Sequence, residues 1–125
     1  MTILGVHHAQ ITIPTGKASE DQARAFYCGV LGLREIEKPA SLKPRGGFWL
    51  QIGALQVHIG TEDGVDRRAS KAHIAYQVED VAYWRGVLQA HGVEMAESVP
   101  IEGFDRFEFR DPFGNRVELI RLLDE

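Results

Sequence analysis

His8-Ala9-Gln10-Ile11-Thr12-Ile13 and His73-Ile74-Ala75-Tyr76-Gln77-Val78 read as two versions of one strand, and Leu55-Gln56-Val57-His58-Ile59 sets over Asn115-Arg116-Val117-Glu118-Leu119 in the same way. The superposition matches His8 with His73 and His58 with Glu118. A chain built as two similar halves about a pseudo-two-fold axis brings matched positions together, so these four side chains are expected to converge as a metal site. The first half carries a net surplus of five residues, and the turn-rich segment Pro14 to Ser19 accommodates it. In the second half, Val78 instead runs through Glu79-Asp80 directly into a helix.

Around this repeat the periodicities fall into place. Leu4 to Ile13 alternates as a strand, with His8, Gln10 and Thr12 on one face and His7, Ala9, Ile11 and Ile13 on the other. From Ser19, the apolar residues Ala23, Phe26, Tyr27, Val30 and Leu31 recur at helical spacing until Gly32. A short strand at Leu33 to Glu37, a loop at Pro39 to Gly47, and a hairpin of Phe48 to Ile52 with Leu55 to Gly60 follow. A two-residue turn at Gly53-Ala54 sets Trp49 opposite His58. The second half repeats the order: strand Ala72 to Val78, a helix capped by Asp80 and stopped by Gly92, then strands near Glu94 to Glu97, Arg106 to Arg110 and Asn115 to Leu122. Each half is strand, helix, three strands, which places the chain in the α+β class.

At 125 residues and 44% hydrophobic, the chain supports one domain made of two half-modules, about 1–62 and 71–125, with a linker of about 63–70. Fourteen basic residues against 18 acidic ones give −4, and no basic cluster is denser than Arg67-Arg68, so no nucleic-acid partner is expected. No leader pattern or membrane-length apolar run occurs, which predicts a cytoplasmic protein with no membrane partner. Cys28, the single cysteine, cannot form an internal disulfide and is read as a small buried hydrophobe.

The mixed-polarity faces of the strands, opposite those the helices cover, line the concave side. Two histidines and a carboxylate suit a divalent transition metal, and a fourth ligand from His58 suits zinc, nickel or cobalt as well as iron or manganese. The ligand types select no one metal among them. His7 is expected on the helix-covered face and His91 at a helix C-terminus, where a partial positive charge complements the dipole. Trp49 and Phe104 are candidate apolar walls for a substrate, against the plain alternative of core or subunit contact. Arg106 is a candidate clamp for an anionic substrate, with a surface ion pair as the plainer role. Gly46-Gly47 is too little glycine for a phosphate loop, and no nucleophile motif is present.

The chain resembles the vicinal oxygen chelate superfamily, which includes glyoxalase I, extradiol dioxygenases, fosfomycin-resistance thiol transferases and bleomycin-resistance proteins. The resemblance is carried by His8 to Ile13, Ala25-Phe26-Tyr27-Cys28-Gly29-Val30-Leu31-Gly32-Leu33, Ala72-His73-Ile74-Ala75, and above all Arg110-Asp111-Pro112-Phe113-Gly114-Asn115-Arg116-Val117-Glu118-Leu119. It implies paired βαβββ modules forming an open, partly closed barrel around a divalent metal held by His8, His73 and Glu118. Glyoxalase I has a Glu ligand where this chain has His58, and extradiol dioxygenases have an acid-base histidine nearby. The dioxygenases also use a tyrosine on the strand before the carboxylate ligand, where this chain reads Arg106-Phe107-Glu108-Phe109-Arg110. Bleomycin-resistance proteins generally lack the ligand set. The resemblance therefore implies a homodimeric, metal-dependent glyoxalase-like lyase or isomerase acting on a small substrate with vicinal oxygens, with Glu118 and His58 moving protons. Its alternatives are a ring-cleaving dioxygenase and a drug-binding protein without catalysis.

Overall fold

The computed structural model describes residues 1–124. The chain divides into two compact units, Met1–Val65 and one from Asp66 onward.

The first unit runs β1 (His8–Ile13), α1 (Lys17–Arg24), β2 (Arg34–Ile36), β3 (Phe48–Ile52) and β4 (Leu55–Thr61). Its sheet has the order β1-β4-β3-β2, with β1 parallel to β4 and the other pairs antiparallel. Parallel neighbours need a crossover, and α1 supplies it by lying across one face. That face packs Ile13, Val57, Ile59, Phe48 and Leu50 against Ala23, Phe26 and Tyr27, all buried. The second unit repeats the plan with β5 (His73–Gln77), α2 (Val81–Ala90), β6 (Met95–Glu97), β7 (Phe104–Arg110) and β8 (Arg116–Leu122), in the order β5-β8-β7-β6. Its core is Val81, Leu88, Phe107, Phe109, Val117 and Leu119. Neither sheet closes on itself, so the expected α+β class of two open βαβββ modules is observed.

One device is repeated on the helix-covered faces. Arg24 of α1 lies 4.6 Å over the Phe48 ring and donates to Glu35 of β2 at 2.9 Å. Arg85 of α2 lies 4.6 Å over the Phe107 ring and donates to Glu97 of β6 at 2.6 Å. In each unit a guanidinium stacks on a core aromatic while its edge ties the helix to an edge strand. The Asp80 cap forms as predicted, accepting from the Tyr83 N–H at 3.0 Å.

Four expectations are corrected. The first strand starts at His8 rather than Leu4, and His7 is exposed, its Nδ1 at 3.0 Å from His8 Nδ1, because pairing with β4 begins only at His8. The first helix starts at Lys17 rather than Ser19 and continues from Ala25 to Val30 as a π-helix, a wide turn that periodicity at 3.6 does not foresee. The loop after β2 contains a 3-10 turn, Ala40–Arg45. Cys28 is half-buried rather than buried, and partial desolvation raises its thiol pKa.

Candidate functional site

In the first unit, β1 and β4 are parallel with His8 opposite Gln56 and Gln10 opposite His58, while β3 places Trp49 directly opposite His58. Strand alternation therefore puts His8, His58 and Trp49 on the face away from α1. Their rings form a continuous stack. His8 lies 4.1 Å from His58 at 14° between planes, and Trp49 lies 3.8 Å from His58 on its other side at 0°. His58 is 7% exposed, and burial, followed by the neighbouring His8 and His7, lowers its pKa. A histidine held neutral in this way keeps a lone pair for a cation or a proton. Its Nε2 donates to Gln56 Oε1 at 2.9 Å, which leaves Nδ1 as the acceptor.

The second unit builds a different arrangement on the matching face. Glu118 on β8 is 5% exposed, with Oε1 at 3.4 Å from His73 Nε2 on β5 and 3.1 Å from Arg106 Nη1 on β7. His73 Nδ1 lies 3.0 Å from the Lys71 carbonyl, an acceptor only, so in the neutral ring Nδ1 carries the proton and Nε2 turns its lone pair toward the carboxylate. One ring nitrogen tied to a carbonyl and the other free to ligate is the outer-shell pattern of metal-binding histidines. An imidazole and a carboxylate suit a divalent transition-metal ion without selecting one.

Arg106 is not on the surface. Its side chain is 15% exposed, and Nη2 donates to the Val99 carbonyl at 2.6 Å. The β7–β8 ladder carries it inward on the same face as Glu118, where burial makes a carboxylate its natural partner. Two further groups share that face: Glu108, opposite Glu118, accepts from Arg116 at 2.7 Å. Sequence reasoning overlooked this pair, although charges alternating along Arg106 to Arg110 were its signal.

The predicted residues are thus gathered as His8, His58 and Trp49 in one unit, and as His73, Glu118 and Arg106 in the other. Phe104 also belongs to the second unit, 38% exposed at the start of β7. Among the described residues, no three His, Cys, Asp or Glu side chains come together as a metal cluster. A cleft of about 300 Å³ opens in the first unit and is lined by Gln10, Lys38, Arg45, Trp49 and His58 among others. Lys38 and Arg45 were also missed, being masked in the sequence by a loop without periodicity. Among the described residues, no helix is long and apolar enough to cross a membrane.

Comparison with known proteins agrees with this architecture. The model of the Glyoxalase/Bleomycin resistance protein/Dioxygenase superfamily matches residues 6–119. The chain is 27% identical over 111 residues to "Glyoxylase I 4" of Arabidopsis thaliana, covering 81% of this chain and 63% of that protein. It therefore spans less than two thirds of that relative's length. A glyoxalase family protein of Bacillus anthracis superposes with a TM-score of 0.89 at 36% identity, with 98% of both chains covered. The fosfomycin resistance protein FosX of Listeria monocytogenes superposes at 0.76 and 22% identity, over 98% of this chain and 96% of that one. A variant of FosX, complexed with Mn(II) and 1S,2S-dihydroxypropylphosphonic acid, superposes at 0.74 and 24% identity, over 94% and 90% of the two chains. The FosX likenesses speak for the fold.

Proposed function

Because the chain belongs to the Glyoxalase/Bleomycin resistance protein/Dioxygenase superfamily, we propose that it is a divalent-metal-dependent, glyoxalase-like lyase or isomerase acting on a small substrate with vicinal oxygens. The observation that carries this reading is the His73–Glu118 pair: a buried carboxylate facing an imidazole whose other nitrogen is already committed to a backbone carbonyl. His8, His73 and Glu118 would hold the cation, with His58 as fourth ligand or proton carrier. The Mn(II) bound by the FosX relative supports a divalent metal. Such an ion supplies Lewis-acid stabilisation of negative charge developing on neighbouring substrate oxygens.

The protein's own groups account for the rest. His58, kept neutral between two rings, is suited to take a proton from a substrate carbon and return it to the next one. Glu118 is the second candidate for that task. Arg106 fixes the Glu118 carboxylate, and Trp49 and Phe104 provide apolar surface. The exposed apolar side chains Val99, Ile101, Phe104 and Leu122 support association of two copies in a homodimer, which sedimentation measures.

Metal analysis and titration calorimetry test the assignment. His8→Ala, His73→Ala and Glu118→Gln are each expected to weaken metal binding by roughly 100-fold or more while far-UV circular dichroism is retained. Stoichiometric metal in all three variants would dismiss the reading.

A further inference from the structure

The loop before β3 is held over the end of β4 by an unusually close backbone approach. At Gly47, with φ +77°, a Cβ would sit 2.0 Å from the Ile59 carbonyl oxygen, so only glycine lets the loop lie there. The Thr61 hydroxyl donates to the Arg45 carbonyl at 3.3 Å and ties down the end of the 3-10 turn. On β1, the Gln10 carboxamide lies against Gly60, where a Cβ would come within 2.7 Å of its Nε2. These contacts roof the cleft of about 300 Å³ whose inner wall includes Trp49 and His58.

The charged residues that line this cleft are of one sign. Its lining includes Lys38 and Arg45 and no Asp or Glu. Lys38 is half-buried, and its Nζ donates to the Gly46 carbonyl at 2.6 Å, which positions the ammonium while leaving further N–H donors. Arg45 projects from the last residue of the turn and is exposed. Carboxylates stand close by, each with a partner of its own: Glu37 is taken by Lys43 at 2.7 Å, Glu20, whose Oε2 lies beside Gly46, stands 4.0 Å from Arg24, and Glu62 accepts from the Thr12 hydroxyl at 3.2 Å.

We propose that this cleft binds the acidic group of a small organic anion, a carboxylate or phosphonate held by Lys38 and Arg45, with the body of the molecule against Trp49. The assignment rests on the reading above that the His8–His58–Trp49 face is the working face, and it narrows the substrate class to anions. Arg45 contributes a planar fork suited to either oxyanion, and the anchored ammonium of Lys38 contributes a point charge.

The probes are benzoate, phenylphosphonate and the neutral benzyl alcohol, added to the purified protein at fixed ionic strength with and without added Mn(II). Trp49 fluorescence in a Trp84→Phe background reports occupancy, and calorimetry reports affinity. Both anions, or one of them, should bind at least about tenfold more tightly than the alcohol, and Arg45→Gln should remove most of that preference, as expected for lost charge-assisted bonds. Which anion binds more tightly distinguishes carboxylate from phosphonate chemistry. Arg45→Lys should restore part of the preference, and Lys38→Met should lower it further. Equal binding of the alcohol and both anions, or an anion preference untouched in Arg45→Gln, overturns the proposal. Metal content separates the two readings: anion binding that persists in a chain unable to hold metal removes the enzymatic assignment alone, whereas normal metal loading with no anion preference removes this one alone.

Discussion

Trp49 lies directly opposite His58 in the first sheet, and Glu108 lies directly opposite Glu118 in the second, so equivalent ladder positions hold an indole in one unit and a carboxylate in the other. Two residues earlier in each unit, the first has Gly47, just before β3, and the second has Arg106 on β7. The consequence is a difference in kind. The first unit's polar face is a stack of aromatic rings beside an open cleft lined by cations, and the second unit's is a charge network that carries its own cation inside. A duplicated framework thus provides one half suited to receiving a ligand and one half suited to fixing a carboxylate.

The largest test of this contrast is Glu118→Ala. Removing one partner of a pair in which both side chains are mostly buried leaves Arg106 uncompensated, and we predict a loss of about 3–5 kcal/mol in denaturant unfolding. The Arg106→Met, Glu118→Leu double substitution should recover most of it. A loss below about 1 kcal/mol for the single change, the range of surface pairs, would mean that the network is solvated and the contrast false.

Gly47→Ala comes next. The left-handed backbone and the overlap with the Ile59 carbonyl predict a loss of about 3 kcal/mol, seen as a lower unfolding midpoint. Trp49→Ala should cost about 2 kcal/mol through the lost stack. It should also raise the His58 pKa toward its ordinary value in an NMR titration, since burial is the main cause of the depression. An unmoved titration would show that the indole does not shield the imidazole.

The smallest effect concerns pH. A histidine whose folded pKa is depressed binds fewer protons folded than unfolded, so its contribution to stability is complete above its ordinary pKa of 6.5 and declines as pH falls below it. His58→Gln should flatten the stability profile in that window. In the second unit, Glu118→Gln should leave this His58-dependent decline in place.

How far the sequence reaches can be judged residue by residue. The Trp49–His58 apposition was legible because a two-residue hairpin turn leaves only one register, and the Asp80 cap because a short side-chain acceptor at a helix start has one use. The π-helix at Ala25–Val30 was not legible, since its wider turn trades local hydrogen-bond geometry for core packing of Phe26 and Tyr27. The role of His7 was misread because alternation assigns a face without saying where strand pairing begins.

The repeat, the strand alternation and the glycine and proline punctuation depend on interactions between near neighbours, and these alone made the two βαβββ modules and the candidate ligands His8, His58, His73 and Glu118 readable. The burial of Arg106 against Glu118, and the gathering of Lys38, Arg45 and Trp49 around one cleft, depend on contacts between strands and loops far apart in the chain. Their energies come from desolvation and from one backbone approach at Gly47, quantities that exist only once the sheet has folded.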